Sequence, residues 1–183
     1  MDGPAVKAMM ETVARAIVAN VDVLSEADRA TGDGDHGVGM RRGFEAVLES
    51  LFGLVDPTPD QVMKAAGTAI MAKGGGASGA IFGTLFRAGA KALEGRGTFD
   101  AEGLAAFLFA AVEAVQKRGG VTVGQKTMVD ALAPAAAASD GHASLAQAMA
   151  AAAAAAKDGV EATRGMIATT GKARSLGERS LGH

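Results

Sequence analysis

The sequence contains no cysteine, no tryptophan and no tyrosine, and only four of its 183 residues are proline. Without cysteine the chain can form no disulfide, no thiolate metal site and no thiol nucleophile, which suits a reducing compartment. Aromatic residues make up 4% of the chain, so platforms for stacking nucleic-acid bases are missing. The net charge of −2 provides no basic stripe for a polyanion. We therefore expect no nucleic-acid partner.

Long hydrophobic runs are also missing. The alanine-rich run 150–156 is too short to span a bilayer and ends at Lys157 and Asp158. Residues 1–20 form an amphipathic, charged pattern without the apolar region or cleavage site of a signal peptide. We expect no membrane association and a cytoplasmic location. The length and the 49% hydrophobic content predict one domain over residues 1–183.

Helical periodicity dominates the sequence, and strand patterns are nearly absent. The apolar spacing, the capping residues and the breaks at glycine and proline predict an all-α fold, an antiparallel bundle or barrel of about eight helices. Glycine from residue 171 onward predicts an irregular tail. The predicted helices span residues 4–24, 38–52, 60–72, 76–93, 100–117, 125–138, a seventh ending at 156, and 160–169.

Three connections between the predicted helices are rich in glycine: residues 32–39, 74–79 and 119–124. They follow the first, third and fifth predicted helices. In an up-and-down bundle alternate connections lie at the same end, so these loops are expected to meet there. The tail follows the eighth predicted helix and should leave from the other end unless it folds back. The end that carries the three loops is a candidate phosphate site.

The first glycine-rich loop carries acids. Asp33 and Asp35 are two residues apart between glycines, and Asp28 lies just upstream. Carboxylates held this close repel one another unless a cation lies between them, and hard oxygen ligands favour Mg²⁺ or Ca²⁺. The alternative is a solvated loop whose carboxylates cap helices. The glycine spacing favours a metal site, and magnesium usually accompanies phosphate.

Three familiar templates do not fit these loops. Glycines at 32, 34 and 37, and again at 74, 76 and 79, match the dinucleotide-binding pattern, but no strand precedes either set. An EF-hand loop that started at Asp33 would place Phe44 where a bidentate Glu is needed. Residues 119–127 miss the P-loop pattern by the inserted Gln125 and also lack a strand.

Polar residues beside the loops could contact a phosphate. Ser78 lies at a predicted helix start, where backbone N–H groups bind anions, and His36 adjoins the acids. Lys126 and Thr127 also lie at a predicted helix start, where a cation is unfavourable unless an anion is near. By pattern alone, an ordinary solvated run is a better interpretation of the tail cations, Lys172 among them, than a functional role.

Four ordered segments carry a resemblance to a known family: Gly-Asp-Gly-Asp-His-Gly from residue 32, Gly-Gly-Ala-Ser-Gly from 75, Gly-Gln-Lys-Thr-Met from 124, and Leu-Gly-Glu-Arg-Ser-Leu-Gly-His at the end. From about Leu24 to the last residue the chain resembles the nucleotide-binding L subunit of dihydroxyacetone kinases. The resemblance implies an antiparallel barrel of eight helices that holds ADP or ATP with two Mg²⁺.

The resemblance also implies roles for individual residues. Lys172 falls where the family usually has an Arg, so a bidentate donor is replaced by a point charge. The family continues past Gly-His with Asp-Pro-Gly-Ala, and this chain stops at His183; we expect both departures to weaken the grip on the nucleotide. The implied magnesium ligands are Asp28, Asp33 and Asp35, and the implied nucleotide contacts are His36, Gly37, Val38, Gly39, Ala77, Ser78, Gly124, Thr127, Ala133 and Lys172.

The implied activity is phosphoryl transfer to a small ketose held by a separate K subunit. The donor is either ATP or a phosphohistidine protein of the phosphotransferase system that acts through bound ADP. Charge neutralisation and positioning would carry the reaction, so no protein nucleophile is required and no catalytic residue is assigned. The alternative is a non-catalytic nucleotide-binding regulator that contacts a transcription factor.

Overall fold

The computed structural model describes all 183 residues and contains no strand, which confirms the all-α fold. Short 3₁₀ segments follow the last α-helix at Thr163–Gly165 and Lys172–Ser180. The eight α-helices are α1 (Gly3–Ala19), α2 (Val21–Arg29), α3 (His36–Phe52), α4 (Pro59–Lys73), α5 (Gly76–Ala92), α6 (Ala101–Gly119), α7 (Val129–Ser139) and α8 (Leu145–Ala162).

The single helix predicted over residues 4–24 is wrong, because Asn20 divides it. Asn20 has a non-helical backbone (φ −107°, ψ 20°), its N–H donates to Ile17 O, and its side chain donates to Ala16 O. Asparagine offers the backbone this alternative to helical bonding. Beyond it, α2 continues to Arg29 and packs on α3, whereas α1 packs on both α3 and α4. Together α1 and α2 form one bent pass.

The helix predicted over residues 160–169 is also wrong. α8 continues through Gly159, which is buried where α8 crosses α7; a Cβ there would lie 2.3 Å from Asp130 O. Gly159 therefore permits close helix packing and does not end a helix. The last α-helix stops at Ala162.

The number of helical passes decides at which end of the bundle the tail lies. Counting α1 and α2 as one pass, the chain makes seven passes, each packed on the next, and short connections make neighbours antiparallel. The tail then leaves α8 at the same end as the three glycine-rich loops. It is not irregular as predicted: Lys172–Ser180 is 3₁₀-helical with a kink at Gly177 (φ 55°).

The core lies between the helices and is built largely from aliphatic residues with a short row of phenylalanine rings. Phe86 contacts Phe44 and Phe107 edge to face, with ring centroids 6.5 and 6.0 Å apart, and Phe99 continues the row. At the end opposite the glycine-rich loops, the Met1 amino group donates to Phe99 O at 2.7 Å. No helix combines the length and apolar character that crossing a membrane requires.

Candidate metal and nucleotide site

The acidic loop is folded by its own backbone. Asp28 lies in the last turn of α2, and its carbonyl accepts from Thr31 N (3.0 Å) and Gly32 N (2.6 Å). Its carboxylate Oδ2 accepts from His36 N at 3.3 Å, where α3 begins. Gly34 has φ 76°, a conformation that favours glycine. The loop thus reverses the chain, so that α3 begins beside the end of α2. It begins at His36, two residues before the predicted start at residue 38.

The three predicted metal ligands come together. One carboxylate oxygen each from Asp28, Asp33 and Asp35 lies within 4.8 Å of the others, Asp28 being partly buried and the other two exposed. Three like charges at this separation repel, and an all-oxygen set of hard ligands suits Mg²⁺ or Ca²⁺. The donor chemistry therefore fits a magnesium ion.

A cation from the tail lies among these acids. The Lys172 ammonium pairs with Asp33 Oδ2 and lies 3.8 Å from Asp35 Oδ1. Its hydrogen bond lowers the pKa of the Asp33 carboxyl below the usual value, and the same bond raises the pKa of Lys172. Lys172 therefore neutralises part of the charge that a divalent ion would otherwise balance.

The second glycine-rich loop forms the facing wall. α5 begins at Gly76 (φ 55°) after Gly75 (φ 70°), so its first N–H groups have no intrahelical partner and can bind an anion. His36 Nδ1 and Ser78 Oγ are 3.1 Å apart, which joins the two walls. Gly39 allows the close approach, because a Cβ there would lie 2.8 Å from Gly74 O.

Between the two walls lies a polar cleft of about 290 Å³. Arg42 also borders it, and sequence reasoning missed this residue, although it lies one helical turn after Gly39 on α3. Arg42 forms no ion pair with a carboxylate. The lining residues are Asp28, Asp35, His36, Gly39, Arg42, Gly74, Gly75, Gly76, Ala77, Ser78 and Lys172.

The third glycine-rich loop is organised by a buried acid. Asp130 is 4% exposed, and its two carboxylate oxygens accept from Gly124 N (2.5 Å) and Thr127 N (2.7 Å). α7 begins at Val129, so the helix start predicted at residue 125 is wrong. Residues 125–128 form a turn, and the carboxylate supplies the bonds that a helix would have made.

Lys126 lies in this turn with φ 58°. Its ammonium donates to the backbone carbonyls of Thr163 (2.5 Å) and His183 (2.8 Å). Lys126 therefore holds the third loop to the tail. The prediction placed Lys126 at a helix start, where a cation is unfavourable unless an anion is near. Because α7 begins only at Val129, no anion is needed for that reason.

The predicted contacts thus fall into groups. His36, Gly39, Ala77, Ser78 and Lys172 line the cleft with two of the acids, and Asp33 adjoins it through Lys172. The others do not border the cleft: Gly37 is buried against α2, Val38 is 48% exposed, and Gly124, Thr127 and Ala133 lie on or after the third loop. Their part in nucleotide binding stays a prediction.

Fold and site together define an all-helical protein with an acidic, glycine-rich polar cleft at one end. The sequence matches the DAK2 domain family over residues 30–183. The chain belongs to this family.

Relatives in the family are named as kinases or kinase subunits. The chain is 39% identical over 165 residues to the PEP-dependent dihydroxyacetone kinase 1, ADP-binding subunit of Listeria innocua, covering 90% of this chain and 79% of the relative. It is 40% identical over 169 residues, with the same coverages, to the PTS-dependent dihydroxyacetone kinase, ADP-binding subunit of Lactococcus lactis. It is 35% identical over 183 residues to the D-erythrulose kinase of Mycolicibacterium smegmatis, covering 93% of this chain and 32% of that protein. The chain is thus a member of a kinase family.

Solved structures share the fold. The native dihydroxyacetone kinase of C. freundii superposes with a TM-score of 0.69 at 24% identity, over 100% of this chain and 31% of that one. The same kinase in complex with AMP-PNP and Mg²⁺ gives 0.70, over 98% of this chain and 32% of that one. The chain therefore spans about a third of the length of these solved kinase chains.

Proposed function

We propose that this chain is the Mg-nucleotide-binding, phosphoryl-transferring subunit of a kinase that acts on a small ketose. The observation that carries the proposal is the meeting of two walls in one cleft. Three carboxylates lie within 4.8 Å of one another, and two of them, Asp28 and Asp35, line the cleft together with the N-terminus of α5. One wall suits divalent cations and the other suits phosphate oxygens.

In this proposal Asp28, Asp33 and Asp35 hold two Mg²⁺. Bound magnesium neutralises charge on the phosphate oxygens and orients them for in-line transfer. Backbone N–H groups at residues 76–78 and the Ser78 hydroxyl donate to phosphate oxygens, and the cation of Arg42 adds a donor at the same cleft. Protein groups bind and orient, and none forms a covalent bond.

The nucleoside is placed along the third loop, where the family resemblance puts Gly124, Thr127 and Ala133. The buried Asp130 supports this placement, because it fixes the backbone of the turn by two hydrogen bonds. A preorganised turn loses little conformational entropy when a nucleotide binds. Lys126 ties the same turn to the end of the tail that carries Lys172, by donating to His183 O.

The ketose is proposed to be held by a separate K subunit. The cleft is small and dominated by charged and glycine residues, and it offers no distinct site for a second substrate. The names of the relatives support the division of labour, since the Listeria and Lactococcus proteins are called ADP-binding subunits.

Two donors fit the same site. Relatives named PEP-dependent or PTS-dependent favour resident ADP that is rephosphorylated by a phosphohistidine protein. The erythrulose kinases form the other group of relatives. For that group we propose exchangeable ATP as the donor. We propose resident ADP for this chain, because the most similar of the relatives compared above carry the ADP-binding name.

Native mass spectrometry of the purified protein, followed by calorimetric titration with ADP and ATP in Mg²⁺ and then in EDTA, tests the proposal. Retained ADP supports the phosphoprotein donor, whereas ready exchange with ATP supports the ATP donor. Addition of a K subunit and ketose should then yield ketose phosphate. Nucleotide binding that is unaffected by EDTA, or no binding at all, would contradict the metal-dependent site.

A further inference from the structure

A second cleft, of about 420 Å³, lies along the outer surface of α4 and α5. It shares no residue with the candidate nucleotide cleft. Four cationic side chains from three helices border it: Lys64 of α4, Arg87 and Lys91 of α5, and Arg118 of α6. The function proposed above does not use any of them.

These four cations have no carboxylate partner. None takes part in an ion pair, and the one side-chain hydrogen bond among them runs from Arg87 Nη1 to Met71 Sδ at 3.5 Å. A thioether is a weak acceptor. The chain carries a net charge of −2, so a concentration of positive charge here does not follow from overall composition. An anion in the cleft would offset the mutual repulsion.

Packing between α4 and α5 restricts Arg87. The two helices approach closely at Gly67, where a Cβ would lie 2.8 Å from both the backbone nitrogen and Cγ of Arg87. The aliphatic stem of Arg87 therefore lies against α4, which limits its rotamers. A guanidinium held in this way loses less entropy when it binds an oxyanion.

The two carboxylates of the cleft lie at one end, where Lys64 and Lys91 are each one helical turn from an acid, and Arg118 lies at the other end. Asp60 lies in the first turn of α4 and Glu94 just beyond the last turn of α5, so antiparallel packing places both at one end. Arg118 lies in the last turn of α6, at the other end. Guanidinium groups bind phosphate, and carboxylates accept hydrogen bonds from hydroxyl groups. The volume falls within the range of small-molecule sites, about 300 to 1,000 Å³.

We infer that this cleft binds the phosphate monoester of a small polyhydroxylated molecule. The phosphate lies between Arg87 and Arg118, and the hydroxyl groups donate to Asp60 and Glu94. The site is separate from the proposed nucleotide site and does not depend on it.

An amide-resolved NMR titration with glucose 6-phosphate at constant ionic strength tests the inference, with inorganic phosphate and glucose as separate arms. Saturable shifts are expected at residues 60–64 and 84–94. Glucose 6-phosphate should bind more tightly than inorganic phosphate, and glucose alone should produce no shift. Arg118→Gln and Arg87→Gln should each weaken binding about tenfold, the loss expected for one charge-assisted hydrogen bond.

Lys117→Gln is the matched control, because Lys117 is exposed in the same last turn of α6 but does not border the cleft. Both substitutions remove one charge from the same helix terminus, so their effects on stability should be alike. Equal loss of binding in Lys117→Gln and Arg118→Gln would overturn the inference. So would shifts confined to the segments around His36 and Ser78, or saturable binding of a polyglutamate peptide in the cleft without binding of glucose 6-phosphate.

Discussion

The Lys172 ammonium pairs with the carboxylate of Asp33, 139 residues earlier in the chain. This contact joins the tail to the acidic loop and brings a positive charge to the point where three carboxylates converge. Nearby, Ser180 Oγ accepts from Ala168 N at 2.9 Å and fixes the tail against itself. The two halves of the chain therefore contribute jointly to one site.

Removing this cation should favour metal binding. In the nucleotide-free protein the Lys172 ammonium competes with a divalent ion for Asp33, so Lys172→Gln should tighten Mg²⁺ binding by up to about fivefold, the range expected for an exposed ion pair. Nucleotide affinity should fall, because Lys172 lines the cleft and is a predicted nucleotide contact. Calorimetry with Mg²⁺ and then with Mg-ADP measures both. Arg174→Gln, an exposed tail cation without an ion pair, is the control; equal Mg²⁺ affinities in the two variants would refute competition.

The same pair predicts a dependence on pH in EDTA. The pKa of Asp33 is lowered and that of Lys172 is raised. The contribution of the Asp33 carboxylate to folding stability is therefore present above its unfolded pKa of about 3.9 and is lost as the pH falls through the lower folded pKa. The contribution of the Lys172 ammonium is present below its unfolded pKa of about 10.4 and is lost as the pH rises through the higher folded pKa. NMR shifts of the Lys172 side chain should stay constant between these limits. Titration of the contact near neutral pH would be inconsistent with the pair.

Asp28 should be required for the metal. Asp28→Asn removes one charge from the ligand set but keeps an oxygen that can accept from His36 N. We expect at least a tenfold loss of Mg²⁺ affinity, about 1.4 kcal/mol or more, and little change in thermal stability. Asp22→Asn, in the first turn of the same helix, controls for charge. If both variants bind Mg²⁺ alike by calorimetry, Asp28 is not a ligand.

Gly37 and Gly89 provide a matched pair of overpacking variants. A Cβ at Gly37 would lie 2.1 Å from Val21 O, and one at Gly89 would lie 2.3 Å from Phe107 Cδ2. Each alanine substitution should destabilise the protein by about 1–3 kcal/mol. Only Gly37→Ala displaces the start of α3 and with it His36, so only this variant should also weaken Mg-ADP binding. Chemical denaturation and calorimetry measure the two effects; equal affinities would show that the site tolerates the displacement.

Asp130 should act by positioning the third loop. Asp130→Asn places an NH₂ group opposite one of two backbone donors, Gly124 N or Thr127 N, so a buried hydrogen bond is lost at a cost of about 1–3 kcal/mol. ADP affinity should fall while Mg²⁺ affinity without nucleotide is unchanged. Asp158→Asn on the exposed face of α8 serves as the control. A loss of Mg²⁺ affinity equal to the loss of ADP affinity would argue against a positioning role.

Local patterns were sufficient for much of the fold. Apolar spacing and the breaks at glycine and proline predicted the first and last residues of the four helices α3 to α6 to within about two residues. This works because a helix that packs by one face repeats its apolar residues every three or four positions. The aspartate spacing predicted three carboxylates that the structure does bring within 4.8 Å. These residues are close in sequence, so a single loop determines their separation.

Other features depended on contacts between distant segments. Gly159 has the same local signal as a glycine that ends a helix, yet it lies inside α8 because α7 packs against it. Asn20 ended α1 although the apolar period continued across it. Arg42 had no sequence signal beyond its helical spacing, and it belongs to the cleft only because the loop at Gly74 packs against α3.

The sequence by itself therefore determined the helical class, the acidic loop and the oxygen chemistry of its three carboxylates, since these follow from residue type and short spacing. Only the tertiary structure decided that the tail returns to the acidic loop, that His36 meets Ser78, and that Arg87 and Arg118 share a second cleft. The physical reason is that helix ends and helix neighbours are chosen by packing free energy summed over distant segments, which short-range propensities do not contain.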